Sequence, residues 1–488
     1  MPLEQDVAYV LNAFRSIAAI PRPSKREKAV SDYLKSWAYA HGLNVIQDAC
    51  NNIIIEKNAS PGCERAPRAI LQAHMDMVCV SDAQSKGHDP ATQAIRIREH
   101  PQDNAISAEG TSLGADDGIG VAMIQYLLQA KELRHGPLRA VITTDEEAGM
   151  SGARKLDAVH LQAAYLINID WERYGSLCNS SADIHVYRFR RPLTLLEPRL
   201  DSARKLVVSG LAGGHSGIDI HRGRGNALCA AAHILTDMRR AGIGLEVADL
   251  GGGTAANAIP ANAEALVCLD AARTEHAARI AKEAANSFKA AYGTREKEAL
   301  IAFSACPAPQ YVLSGADADA LLGLLTAARN GVHAMSRTIP DFVESSSNLG
   351  LVRIEGTKVA TVEIAARSCV HWHSEDMRHS FEHLSALTGF ALDVPSSCPA
   401  WPVKPGSLLV EYACAAFREL TGTNMTVDPA HAGLECGIFA AKNPQLDMIS
   451  LGPRIENAHS TSETLYLDGL SDTLRCIVKT LEKIAECG

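Results

Sequence analysis

Aromatic residues are scarce in this chain, at 5% of the total, so its interior must be built mainly from Ala, Leu, Ile and Val. No apolar run approaches the roughly 18 residues that a bilayer-spanning helix needs, and no membrane partner is expected. No block of Lys and Arg is present, and the net charge is −9. Both features argue against a nucleic-acid partner, which calls for a basic face. Thirteen cysteines are scattered from Cys50 to Cys487 without a CxxC pair. An odd, dispersed set reads as reduced thiols of a cytoplasmic protein rather than a disulfide frame or a zinc knuckle. The opening MPLEQDVAYVLNAF has Glu4 and Asp6 but no basic stretch, so it does not read as a secretory signal.

What remains is an ordinary globular composition, 47% hydrophobic and 21% charged over 488 residues, long enough for up to about three domains. Residues 4–19 carry a helical apolar stripe (Val7, Val10, Leu11, Phe14, Ile17) that Pro21 and Pro23 end. Ser24 and Glu27 have the spacing of a capping box for the next helix, which Gly42 is placed to stop. From there, apolar strands (NNIIIEK, RAILQAHMDMV, LRAVITTD, AAYLINID) alternate with helices such as GIGVAMIQYLLQAKEL. This pattern predicts an α/β fold with a mixed, largely parallel sheet and flanking helices.

After about residue 183 the strands alternate polar and apolar, as in ADIHVYRFRRPL, and the α/β texture returns near 385. The economical organisation is a discontinuous catalytic domain at 1–183 and 386–488, interrupted by an α+β insert at 184–385. The order of elements in the insert predicts a small sheet with helices on one side.

Five separated segments each offer a metal ligand: His74 and Asp76 in AHMDMV, Asp116 in GADDGIG, Glu146 and Glu147 in TTDEEAG, Asp170 in YLINID, and His459 in NAHSTSE. His74 and Asp76 are two apart, so on a strand they face the same way, and Asp76 can hold the second ring nitrogen of His74. Asp116 can bridge two ions, while Asp117 can cap the helix that follows. Adjacent carboxylates at 146 and 147 repel each other unless a positive charge is near. One of them can bind an ion while the other moves a proton. Each segment alone has a bland reading, as a solvated strand end, a capping loop or a stray loop histidine. Together they suit two divalent ions sharing a carboxylate, a pair that polarises a carbonyl and makes hydroxide from water at neutral pH. Oxygen and nitrogen donors fit zinc, with cobalt or manganese as alternatives.

HMDMV, SLGADDGIG, TTDEEAGMSGA, GGHSGIDIHRGRGNA, HAGLECGIF and AHSTSE together resemble the cytosolic aminoacyl-histidine dipeptidases. These are Xaa-His dipeptidases, a subgroup of the dizinc peptidases that also include glutamate carboxypeptidase and the bacterial tripeptidases. The resemblance implies two divalent ions per subunit, with Asp116 as the bridge. His74 and Asp170 would complete one shell, and Glu147 and His459 the other. Glu146 would be the general base and Asp76 the orienter of His74. In the insert it implies that His215 stabilises an oxyanion, that Asn257 and Arg367 hold the substrate backbone and its carboxylate, and that Gly433 lines the pocket.

One departure is Asp117, where such relatives often have Asn. The expected activity is hydrolysis of unblocked dipeptides, Xaa-His included, with the insert acting as a lid that admits only very short peptides. A tripeptidase or an N-acyl amino acid deacylase of the same architecture is the alternative. A homodimer formed through the insert is the expected assembly. No role is evident for His371 or His373.

Overall fold

The computed structural model describes residues 3–337, 339–356 and 358–486. The chain divides into two compact units, one comprising Met1–Ser181, Trp401–Ala430 and Leu434–Gly488, the other Ala182–Ala400 and His431–Gly433.

The first unit is an α/β layer built on an eight-stranded sheet. Its strands, in chain order, are β1 (Asn44–Gln47), β2 (Ile53–Lys57), β3 (Ala69–His74), β4 (Leu138–Thr143), β5 (Tyr165–Asn168), β6 (Ser176–Ser181), β7 (Thr426–Ala430) and β8 (Asp447–Ser450). In space they run β1-β2-β4-β3-β5-β8-β6-β7. The four central neighbours β4, β3, β5 and β8 are parallel, and β1, β2 and β4 pair antiparallel. Every residue of β3, β4, β5 and β8 is buried, as expected of parallel strands covered on both faces. Helix Ala115–Gln129 is buried along nearly its whole length and packs against Leu3–Ala18 and β3. It belongs to a core cluster that includes Phe14, Ile17, Leu71 and Ile142.

The second unit holds a nine-stranded antiparallel sheet, larger than the small sheet expected from the sequence. Helices Ala227–Arg240, Thr274–Tyr292, Gly315–Ala327 and His371–Thr388 share one buried cluster with its inward-facing residues. The second boundary falls at Ala400, not at 385. Strand Ala391–Cys398 is the edge strand of this sheet and pairs with Asp183–Pro192. Pro395 sits where the register shifts between Asp393 and Ser396, a position that tolerates proline but reads in sequence as a break. The run at 372–380 opens helix His371–Thr388, with Trp372 78% exposed while Ser374 and Met377 are buried.

Two local readings of the first unit also change. Ser24 and Glu27 do not form a capping box. Glu27 occupies the cap position without a side-chain cap bond. It instead accepts the backbone N–H groups of Lys25 (2.7 Å) and Asp145 (2.9 Å). Ser24 donates its hydroxyl to Asp76 Oδ2 at 2.7 Å. Asp117 is not a helix cap either, because its buried carboxylate accepts the backbone N–H of His74 at 3.1 Å.

Among the described residues the cysteines from Cys50 to Cys476 form no disulfide, and Cys487 lies outside the described residues. Among the described residues no helix is long and apolar enough to cross a membrane.

In the second unit, Asn226 ties helix to sheet. Its Oδ1 accepts from Cys229 N at 3.1 Å, and its Nδ2 donates to Leu349 O at 2.9 Å. Asn226→Ala removes a helix cap and strands a buried carbonyl, so a loss of about 2–4 kcal/mol is expected. Urea unfolding measures it, and a loss under about 1 kcal/mol would show that the carbonyl finds another donor.

Candidate metal centre

The ligand-bearing residues of the first unit follow the C-terminal ends of the central parallel strands. His74 ends β3, with Asp76 two residues on. Glu146 and Glu147 follow β4, and Asp170 follows β5. This end of an open α/β sheet is where ligands bind. Asp116 lies in the first turn of Ala115–Gln129, and His459 lies in the loop between Ile455–Glu456 and Thr464–Tyr466.

The seven site residues expected in this unit all meet. Asp116 Oδ1 lies 3.0 Å from His74 Nε2, and its Oδ2 lies 3.0 Å from His459 Nε2. Asp170 Oδ1 is 3.6 Å from the same His74 nitrogen, and Glu147 Oε1 is 2.9 Å from the same His459 nitrogen. Donor triads within 4.8 Å of one another are therefore His74–Asp116–Asp170 and Asp116–Glu147–His459, with His74–Glu146–Glu147 as a third. No such group among the described residues includes His371 or His373.

These spacings test the fit of a cation. Zinc–ligand bonds of about 2.0–2.2 Å at tetrahedral angles put neighbouring ligand atoms about 3.3–3.6 Å apart. Separations of 2.9–3.6 Å lie close to that range. Two triads sharing Asp116, one of its oxygens facing each imidazole, have the form of a dinuclear site with one bridging carboxylate. The residues fit two ions.

Electrostatics agree. Burial and the charge of Asp116 push Glu147 up to about 7, against the His459 hydrogen bond. Burial and Asp116 bring Asp170 to about 6, with His74 opposing. Desolvation, Glu147, Asp170 and Glu435 hold Glu146 well above the carboxylate range, although His74 opposes them. For His459, burial disfavours the cation, but Asp116 and Glu147 outweigh it and raise the ring to about 11. Burial also opposes the charge on His74, and the surrounding carboxylates outweigh it. Burial and the neighbouring Asp170 raise Asp117 well above its ordinary value. Groups pressed together in this way are a signature of functional sites.

Asp76 is fully buried beside the cluster. Its Oδ1 is 3.5 Å from His74 Nδ1. The same carboxylate accepts the backbone N–H groups of Glu146 (3.0 Å) and Glu147 (3.2 Å). One buried side chain thus faces the second ring nitrogen of His74 and anchors the backbone of the Glu146–Glu147 turn.

The other four expected residues belong to the second unit. His215 pairs with Ala258 across a two-residue ladder, and Ser216 N–H donates to Asn257 O at 2.8 Å, so His215 and Asn257 are neighbours. Gly217 and Ile218 N–H donate to His215 Nδ1 at 3.3 and 3.2 Å. An imidazole accepting at Nδ1 carries its proton on Nε2 when neutral. That Nε2 is 3.5 Å from Arg367 Nη2. Two donors so placed cannot bond each other, and both can donate to one shared anionic oxygen. Arg367 is 3% exposed, and its Nε and Nη1 have no hydrogen-bond partner. Burial brings its guanidinium down to about 10.

His431, two residues before Gly433 in the HAGLECG segment, carries no local pattern that marks it. Its Nε2 lies 2.7 Å from Ser346 Oγ, and its Nδ1 is buried without a partner. Burial, then the charges of Arg367 and His215, push it down to about 3, so it stays neutral beside the guanidinium. Gly217 makes the convergence possible. A Cβ there would sit 2.8 Å from His431 O and 3.1 Å from both Arg367 Cζ and His215 Cε1. Gly433 is similarly tight, since a Cβ would lie 2.7 Å from Ile184 Cδ1.

Comparisons with known proteins follow the same lines. A sequence profile of peptidase family M20/M25/M40 matches residues 70–483. The cytosol non-specific dipeptidase of Escherichia coli is 30% identical over 480 residues, covering 96% of each chain. An aminoacylhistidine dipeptidase structure from Vibrio alginolyticus superposes with a TM-score of 0.83 at 32% identity, covering 98% of this chain and 96% of that one. A tripeptidase from Staphylococcus aureus shares the fold at a TM-score of 0.58 and 17% identity, covering 98% of each chain. With a profile spanning most of the sequence and a relative aligned nearly end to end, the chain belongs to peptidase family M20/M25/M40.

Proposed function

We propose that this peptidase is a metal-dependent dipeptidase acting on unblocked dipeptides, Xaa-His substrates of the carnosine type among them. The observation that carries the reading is the division of Asp116 between two imidazoles, each 3.0 Å from one of its oxygens. Asp116 would bridge two divalent ions, with His74 and Asp170 on one and Glu147 and His459 on the other. Zinc suits the donor set first, and cobalt or manganese second. When bound, such ions polarise the scissile carbonyl and ease the ionisation of water. The likeness to the Escherichia coli and Vibrio alginolyticus dipeptidases supports the substrate class.

The chain's own residues supply the rest. Glu146 is the general base. Held by Asp76 through its backbone N–H, its carboxyl binds a proton more firmly than an ordinary carboxylate. That property suits a group that takes a proton from the attacking water and passes it to the leaving amine. His215 Nε2–H is the donor for the developing oxyanion. Arg367, buried without a carboxylate, receives the terminal carboxylate of the substrate. Asn257 holds the substrate backbone, and Gly433 leaves room along the pocket.

A rate panel on enzyme reconstituted with zinc, cobalt or manganese tests the substrate class, using carnosine, Gly-His, a tripeptide and an N-acetyl amino acid. Free dipeptides should be fastest, and chelation should abolish all turnover. Faster cleavage of the tripeptide or of the blocked acyl substrate would replace the reading with a tripeptidase or a deacylase.

Glu146→Ala should abolish turnover while metal stoichiometry stays at two per chain, and loss of one equivalent would make Glu146 a ligand instead. His215→Ala should lower kcat by about 10²–10³. Arg367→Met should leave thermal stability unchanged or raised, because an unpaired buried charge is removed. It should also lower kcat/KM by about 10–150-fold. An unchanged kcat/KM would remove Arg367 from substrate binding.

A further inference from the structure

Glu463 lies four residues past His459, and neither the donor set nor the proton transfer uses it. It is 2% exposed, and its carboxylate is engaged by backbone alone. Oε2 accepts the N–H groups of Leu113 (2.8 Å) and Gly114 (2.9 Å), while Oε1 accepts those of Ala115 (2.7 Å) and Asp116 (3.3 Å). All four amides of the turn that presents Asp116 thus converge on one anion.

Arg22 holds the same turn by its carbonyl. It is fully buried, and Nη1 donates to Met75 O and Asp76 O, each at 3.0 Å. Nη2 donates to Gly114 O. One guanidinium therefore joins the peptide that follows His74 to the turn that carries Asp116. Space for it is tight, because a Cβ on Gly118 would lie 2.6 Å from Arg22 Nη2. Gly114 itself has φ +69°, which glycine adopts without strain.

We propose that Arg22 and Glu463 are a split ion pair, a cation and an anion gripping opposite polar edges of the Leu113–Asp116 turn, and that together they position the Asp116 carboxylate for two cations. Each partner alone would be a costly buried charge. The peptide between them carries the field from one to the other, with Gly114 C=O toward the cation and four N–H groups toward the anion. Because Glu463 shares its loop with His459, the same grip fixes that imidazole against Asp116 Oδ2. Both are positioning residues, and the inference rests on the metal reading proposed above.

The test separates the two claims. Zinc titration of the wild-type enzyme against a chromophoric chelator examines the metal reading, and a chain that binds no zinc sinks that reading first. For the clamp, E463Q keeps the shape but turns an NH₂ toward backbone N–H donors. R22M keeps the length but removes the charge. Each should weaken zinc binding by about 10–100-fold and lower kcat, with KM nearly unchanged. In E463Q/R22M the loss should be clearly smaller than the product of the two single losses, since neither variant then leaves a lone buried charge.

Losses that simply multiply, or zinc affinity unchanged in both folded single variants, would overturn the split pair. A guard against unfolding is amide exchange in the wild-type apoenzyme. The N–H groups of residues 113–116 should be strongly protected without metal, and rapid exchange there would overturn the clamp.

Discussion

Crowding of like charge at the ends of β3, β4 and β5 is the constraint that organises the first unit. Asp116, Glu147 and Asp170 lie within hydrogen-bond or near-contact range of two shared imidazole nitrogens. Carboxylates so close raise one another's proton affinity, and only a positive partner makes the arrangement favourable. Among the described residues, the ion-pair partners of these carboxylates are His74 and His459. The surrounding fold spends its hydrogen bonds on holding the backbone beneath them. Asp76 takes two amides, Glu27 takes the amide of Asp145, Asp117 takes that of His74, and Glu463 takes four. Rigid placement of repelling groups is what lets a cation be bound by several of them at once.

The second unit solves the opposite problem. There the crowding is of donors: Arg367, the Nε2–H of His215 and the neutral His431 gather around Gly217. An unpaired guanidinium in such a place is unfavourable for folding, and its retention makes sense where an anion is to be received.

Much of this was legible in the chain. His74, Glu146, Glu147 and Asp170 follow buried apolar strands, and a polar side chain at such an end has few structural reasons to be there. Asp116 is signalled by its glycine-bounded turn. The α/β layer was legible because fully buried parallel strands read as continuous apolar runs. The readings that changed share one cause, the use of short-range patterns whose partners lie far away. Ser24 and Glu27 match a helix cap locally, yet Glu27 bonds a residue 118 positions on. Asp117 looks like a cap for the same reason. His431 and Glu463 had no local pattern at all, since their roles come from elements brought in by the fold. The extent of the second sheet is less legible because Gly331–Met335 is half-exposed and Ala391–Cys398 largely exposed, and the latter contains Pro395 at a register shift.

The bond from Asp116 to Glu463 spans 347 positions of sequence, and that from Gly114 to Arg22 spans 92. A chain emerging from the ribosome therefore completes every carboxylate ligand long before the anion that steadies the central one exists. Firm placement of the Asp116 turn is then a late event, waiting on the segment that carries Glu463 rather than on the strands. Trimming either terminus past these residues would leave all the ligands in the sequence and still dissolve their common geometry.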